Sequence, residues 1–363
     1  MTTGAFAAAR AFDPARLTMA RRLLGLSKRE LAEWIGRPAA LLSRFELGQS
    51  RPDVTVLSRC AQVMELPVGF FAAGRPQLRL DTTNAHFRSL RATTATQRLQ
   101  ALAQVELLWE VLSRLEDLIE LPVADLAPAA TGSDPARAAR AVRRGWDVPS
   151  GPVPHLVRTL EARGVAVARL VIPDNKNIDA FSSAKGGRPI IALTDRGNPL
   201  RQRFSVAHEL GHLLLHPEPA PGNPRHEAEA NAFAAELLMP ATEIGDLLPV
   251  EPEPASLRDL GHRYGVSMAA LAVRGRTLGF YSDTTYREVM VELSRLGLRT
   301  DEPVSEVFPG EEPTLLRTAT EMAADQGVGL AELAARIEVT PAIIRRLLGI
   351  PDPRPHLRLV TSP

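Results

Sequence analysis

The sequence predicts a multidomain, mainly α protein with an α+β core, and three observations carry that prediction. Apolar residues recur at helical spacing through 14–71 and again beyond 283. Midway, a β-branched stretch and two short strand-like runs around Gly186-Gly187 stand ahead of a helix-periodic run, RFSVAHELGHLLLH. At 363 residues the chain has room for two or three domains with real cores. Its 45% apolar and 23% charged composition is that of a globular protein. The single cysteine, Cys60, forms no internal disulfide and fits a reducing compartment. The opening residues lack a charged start followed by an apolar core, and no run approaches about 18 apolar residues. The expectation is a cytoplasmic protein with no membrane partner.

The elements follow in order. A helix is expected over 15–24, ended by Gly25. Ser27 is the N-cap of the next, over 28–35, with Glu30 at the capping-box position and Leu31 and Ile35 inward. Gly36 permits a tight turn, and a third helix begins at Pro38 and runs to Phe45. Two short helices joined by a glycine-containing turn read as a helix-turn-helix. Residues 10–59 carry ten Arg/Lys against five acids, a local charge of +5.

The stretch LSKRELAEWIGRPAALLSRFELGQSRPDVTVLSRCAQVMELPVGFF resembles the five-helix, repressor-like helix-turn-helix of the XRE family, through Leu31-Ala32, SRFELGQSRP and the closing LPVGFF. The resemblance implies that the third helix enters the major groove of double-stranded operator DNA. Arg37, Ser43 and Arg44 are then the candidates for groove contact, and Lys28, Gln49 and Arg51 suit phosphates. Residues 38–41, Pro-Ala-Ala-Leu, cannot hydrogen-bond base edges, so readout leans on thymine methyls and DNA shape. A helical dimerisation domain with a solvated basic face is the plainer alternative.

A polar, extended stretch follows Phe71, and then a long amphipathic helix over 95–120, with Leu99, Leu102, Val105, Leu108, Leu112, Leu115 and Ile119 in one stripe. Proline, glycine and serine between 122 and 135 mark a boundary. Next come an Arg-rich helix over 136–144, a helix over 153–163 stopped by Gly164, a β-branched strand, and two short strands turning at Gly186-Gly187. A small sheet therefore precedes the motif helix, an α+β order.

Within that helix His208-Glu209-Leu210-Gly211-His212 is an HExxH pattern, which arises by chance in roughly one chain of this length in a hundred. On a helix, positions i and i+4 share a face, so His208 and His212 can present two imidazoles to one metal ion. Glu209 lies beside them as the candidate general base. A catalytic zinc needs a third protein ligand. The HExxHxxGxxH class is excluded, because Leu215 and Glu218 stand where its glycine and histidine belong. The alternative is a carboxylate from a following helix, and HEAEANAFAAELLMP supplies Glu227, with Asn231 four residues on to hydrogen-bond a ligand histidine. Glu229 competes for the role; the partnership with Asn231 favours Glu227. His216 is read as packing or hydrogen-bonding at the helix end, and His226 and His262 receive no role.

AHELGHLLLH followed by EAEANAFAAELLMP resembles the ImmA/IrrE metallopeptidases, over about 146–280. The resemblance implies a zincin-like fold of small sheet plus HExxH helix, Zn2+ held by His208, His212 and Glu227, and Glu209 as the base.

Beyond 283 further helices are expected over 286–296, 314–325 and 330–348, with a disordered tail. LAELAARIEVTPAIIRRLLG has the Leu333-Ala334 pair, a turn before Pro341, and Arg345 and Arg346, as a second helix-turn-helix would. Its turn lacks glycine, Glu338 standing nearby, so a packing or oligomerisation bundle is preferred.

The domain expectation is 1–76 DNA-binding, 77–135 connector, 136–282 metallopeptidase and 283–363 helical. The functional expectation is a DNA-binding regulator, as a homodimer, whose zinc endopeptidase cuts a repressor-like protein. The alternatives are a transcription factor whose metallopeptidase-like domain only senses a metal or ligand, and a toxin–antitoxin or prophage autoregulator.

Overall fold

A computed structural model describes residues 3–81, 86–87, 94–126, 129, 132–148, 150–173, 175, 177–194, 198–218, 220, 222–299, 302–303 and 308–351. The expected disordered tail lies outside the described residues. The chain is mainly helical and forms two compact units. One comprises 1–76, 110–119 and 317–363, the other 77–109 and 120–316. Among the described residues no helix is long and apolar enough to cross a membrane.

The first unit opens with helices Thr3–Arg10, Pro14–Leu23, Lys28–Trp34, Ala39–Glu46 and Val54–Val63, then a 3-10 turn, Val68–Phe71. Each boundary has a local cause. Asp13 accepts the Ala15 N–H with Pro14 at the first helical position. Ser27 and Glu30 form the expected reciprocal capping box. Gly36, at φ +66°, turns the chain where any side chain would be strained. Leu17, Leu31, Leu42, Leu57, Phe70 and Phe71 are fully buried and form the core.

The long helix is Ala95–Glu116, and it corrects an expectation. Instead of one apolar stripe, Ala101, Leu102, Ala103, Val105, Leu107, Leu108, Val111, Leu112 and Leu115 bury nearly its whole circumference. The carboxylates in that run find partners inside the protein. Glu106 accepts the Leu80 N–H at 2.6 Å, and Glu110 receives Arg16 at 2.5 and 3.2 Å and Arg75 at 3.0 Å. Arg16 and Glu110 are both almost wholly buried, so removing one partner strands a desolvated charge. Glu110→Ala is expected to destabilise the protein by about 3–5 kcal/mol in chemical denaturation; a loss below about 1 kcal/mol would contradict this account of the helix.

In the second unit, strands β1 (His86–Phe87), β2 (Ala166–Leu170), β3 (Ala180–Ser183) and β4 (Ile190–Thr194) form one sheet in the order β1-β3-β4-β2. β3 and β4 are the expected antiparallel hairpin, with Gly186 and Gly187 at φ +95° and +92°. β2 pairs with β4 in parallel and β1 with β3 antiparallel, so the sheet is mixed. The motif helix spans Pro199–Leu215, capped by Asn198, and packs on β3 and β4. Helix Pro224–Leu238 packs against it and against helix Pro135–Gly145. Gly211 allows that close approach: a Cβ there would lie 3.1 Å from the Phe233 ring and 3.2 Å from the Ala230 Cα. A mid-helix glycine costs about 0.5–1 kcal/mol relative to alanine, and here the two helices need the space.

One buried carboxyl yields a pH prediction. Glu302 accepts the Met268 N–H, at the start of helix Met268–Thr277, at 3.1 and 3.3 Å. Burial pushes it from the ordinary 4.5 up to about 7, against the pull of that N–H and of Arg258. Between those values the folded state binds more protons than the unfolded, so this group makes stability fall as pH rises from about 4.5 to about 7. Glu302→Gln keeps an acceptor and removes the charge. The melting temperature of wild type relative to this variant should therefore drop across that window; a difference independent of pH would contradict it.

Candidate functional site

On the motif helix His208 and His212 stand one turn apart, both buried, with their Nε2 atoms 3.0 Å from one another. Helix Pro224–Leu238 brings Glu227 to them: its carboxylate oxygens lie 3.4 Å from His208 Nε2 and 3.5 Å from His212 Nε2. One ligand atom from each residue falls within 4.8 Å of the others. Two imidazole nitrogens and a carboxylate oxygen, converging in a buried place, suit a zinc ion and leave a fourth position of a tetrahedron to another ligand. Burial alone would raise the Glu227 carboxyl, but hydrogen bonds from His208 and His212 outweigh it and hold the group at about 2. The third donor is therefore ionised, the form a cation needs.

The outer nitrogens of the two imidazoles are also held. Asn231, one turn after Glu227, places its Oδ1 3.0 Å from His208 Nδ1, so the ring can donate there and give up the Nε2 proton that faces Glu227 when a metal ion takes that place. His212 Nδ1 lies 3.1 Å from His216 Nδ1, and His216 Nε2 lies 2.9 Å from Glu229, whose other oxygen takes Arg225 at 2.7 Å. A single proton arrangement satisfies this chain when His212 Nε2 keeps its lone pair. His212 Nδ1–H donates to His216 Nδ1, and His216 Nε2–H donates to Glu229. Burial lowers the pKa of His216, favouring the neutral ring that this arrangement requires. His226 stacks on His216, ring centroids 4.0 Å apart.

Glu229, the rival third ligand, is thus turned away from the cluster and engaged with His216. Glu209 is fully buried on the same helix, and Ser182 Oγ on β3 donates to its Oε2 at 2.7 Å. The sequence reading missed Ser182 and the Arg225–Glu229–His216 chain. Ser182 lies 27 residues from Glu209, and no spacing rule links a strand serine to it; only the hairpin register brings it there. The spacing His212–His216 was a usable signal for the other chain, pointing along the same helix face.

The other predicted residues lie in the helix-turn-helix. Arg37, Arg44, Gln49 and Arg51 are exposed and Ser43 is half-buried. Lys28 sits 3.4 Å from Glu46, which Arg21 already binds at 2.5 and 3.1 Å, so part of its charge is spent inside the unit. Helix Ala39–Glu46 and its N-cap present Pro38, Ala39 and Ala40 to solvent, an apolar leading edge beside Arg37.

No curated protein matches this chain. Two family profiles do. Residues 15–69 match the helix-turn-helix domain, and residues 161–275 match the IrrE N-terminal-like domain of peptidase family M78. The chain contains a helix-turn-helix DNA-binding domain followed by an M78, IrrE/ImmA-like peptidase domain.

Proposed function

We propose that this protein is a transcriptional regulator whose M78 domain is a zinc-dependent endopeptidase acting on another regulatory, repressor-like protein. It works as a homodimer on operator DNA. The observation that carries the reading is the convergence of His208, His212 and Glu227 beside a buried Glu209, in a chain that also holds a DNA-binding domain.

Bound zinc would be held by those three residues and would supply Lewis-acid polarisation of the scissile carbonyl. The chain's own groups do the rest. Asn231 and His216 hold the two imidazoles in the tautomers that keep Nε2 free. Ser182 fixes one oxygen of Glu209 and thereby the plane of its carboxylate. Glu209 takes the proton of the attacking water and passes it to the departing amine. Arg37, Arg44, Gln49 and Arg51, with Ser43 and Lys28, meet the DNA.

Two assays test this. Zinc-loaded wild type should cut a candidate repressor from the same cell, and Glu209→Gln should not. The protein should also retard duplex from its own upstream region in a salt-sensitive way. DNA binding with no cleavage of any offered regulator would favour a metal- or ligand-sensing domain.

A further inference from the structure

The segment after residue 314 repeats the first helix-turn-helix at a constant separation of 302 positions, Gly36 standing against Glu338. Helices Leu315–Asp325, Leu330–Arg336 and Pro341–Leu347 answer to Pro14–Leu23, Lys28–Trp34 and Ala39–Glu46. The connecting hydrogen bonds coincide. Gly25 N–H donates to Arg22 O at 2.9 Å, and Gly327 N–H to Ala324 O at 2.9 Å. Gly36 donates to Glu33 at 3.1 Å, and Glu338 to Ala335 at 3.2 Å; Arg37 donates to Ala32 at 2.9 Å, and Val339 to Ala334 at 3.0 Å. Leu42 to Pro38 and Ile344 to Thr340 both measure 3.4 Å. The core positions correspond too: Leu31, Ala32, Ile35, Leu42 and Phe45 are matched by Leu333, Ala334, Ile337, Ile344 and Leu347, all buried.

Residues 330–348, expected to be helical with a turn before Pro341, form two helices joined by that turn. The turn glycine is absent, yet the backbone bends the same way, with φ +66° at Gly36 and +58° at Glu338. A non-glycine residue in that region costs about 1–2 kcal/mol. Packing compensates, since the Glu338 carboxylate lies against Gly69, over the space a side chain there would fill. With its turn docked in this way, the motif shows an outer face on which Ala342 and Arg346 are exposed and Ile343 and Arg345 half-exposed. Arg345 and Arg346 occupy the places of Ser43 and Arg44. Arg317 and Arg336 are engaged by Glu321 and Glu332, whereas Arg345 and Arg346 have no acidic partner among the described residues.

We propose that 315–350 is a second DNA-binding helix-turn-helix, which sets Arg345 and Arg346 on the phosphates of duplex DNA. This deepens the regulatory reading and rests on it. The second motif is the weaker binder, because Lys28 and Arg37 are replaced in it by Leu330 and Val339. It extends the footprint of the first rather than binding alone.

The test uses the full chain and a 60-base-pair duplex from the protein's own upstream region, with binding measured from low to moderate salt. Arg345→Gln with Arg346→Gln should weaken binding about tenfold at moderate salt and reduce the slope of log K against log salt by about 2, near 0.9 for each phosphate contact. Ala342→Glu, an exposed change one turn before Arg346, should weaken binding by setting a carboxylate beside the arginines and towards the phosphates, and circular dichroism checks the fold of each. A folded double variant with wild-type affinity and slope overturns the proposal, as does one that loses only self-association in sedimentation. Wild type that binds no duplex overturns the regulatory reading itself, so the two failures are told apart.

Discussion

Replacing Glu227 with alanine is expected to remove the metal from an otherwise folded protein, while replacing Glu229 with alanine leaves it bound. The two glutamates are two residues apart on one helix but meet different partners. Glu227 faces both Nε2 atoms at 3.4 and 3.5 Å, and Glu229 faces His216 and Arg225. Losing Glu227 takes the only carboxylate from the three-donor set, leaving two imidazoles, which hold zinc poorly. Zinc per chain after dialysis should fall from near one to near zero. Losing Glu229 frees the outer end of the His216 chain, which only orients His212, so affinity should drop about 10- to 100-fold with stoichiometry kept when zinc is in excess. The reverse pattern, with Glu229→Ala empty and Glu227→Ala loaded, would move the third ligand and break the proposed site.

The second large effect is at Glu209. Glutamine preserves its size and still accepts the Ser182 hydroxyl through its amide oxygen, but it cannot carry a proton. A general base contributes about 10²–10⁴ in rate, so Glu209→Gln should lower the turnover of any cleaved substrate by roughly a thousandfold. Zinc content and DNA affinity should stay at wild-type levels, because Glu209 is neither in the three-donor cluster nor in the helix-turn-helix. A variant that cleaves within about tenfold of wild type would deny Glu209 the proton-transfer role.

What could be read in the sequence was whatever depends on neighbours along the chain. The Ser27/Glu30 capping box, the Gly36 turn, the Gly186-Gly187 hairpin and the i,i+4 spacings of His208/His212 and Glu227/Asn231 are all set within about four residues. Each appears in the structure as geometry. What escaped depends on contacts between distant segments. The burial of helix Ala95–Glu116 on nearly all sides needs Arg16 and Arg75 to neutralise Glu110. The parallel pairing of β2 with β4 spans the whole hairpin. Ser182 meets Glu209 only because β3 lies under the motif helix. The bend between helices Leu330–Arg336 and Pro341–Leu347 has no glycine to announce it; Glu338 takes φ +58° there with its carboxylate packed against Gly69.

In the proposed function, one chain combines DNA binding with zinc-dependent peptide hydrolysis. The most direct measurement is mass-spectrometric mapping of protein N-termini in cells expressing wild type or Glu209→Gln at equal levels. A new N-terminus is expected inside a DNA-binding regulatory protein, present with wild type and absent with the variant. Identical N-termini in both cells, with zinc bound to the purified wild type, would contradict it.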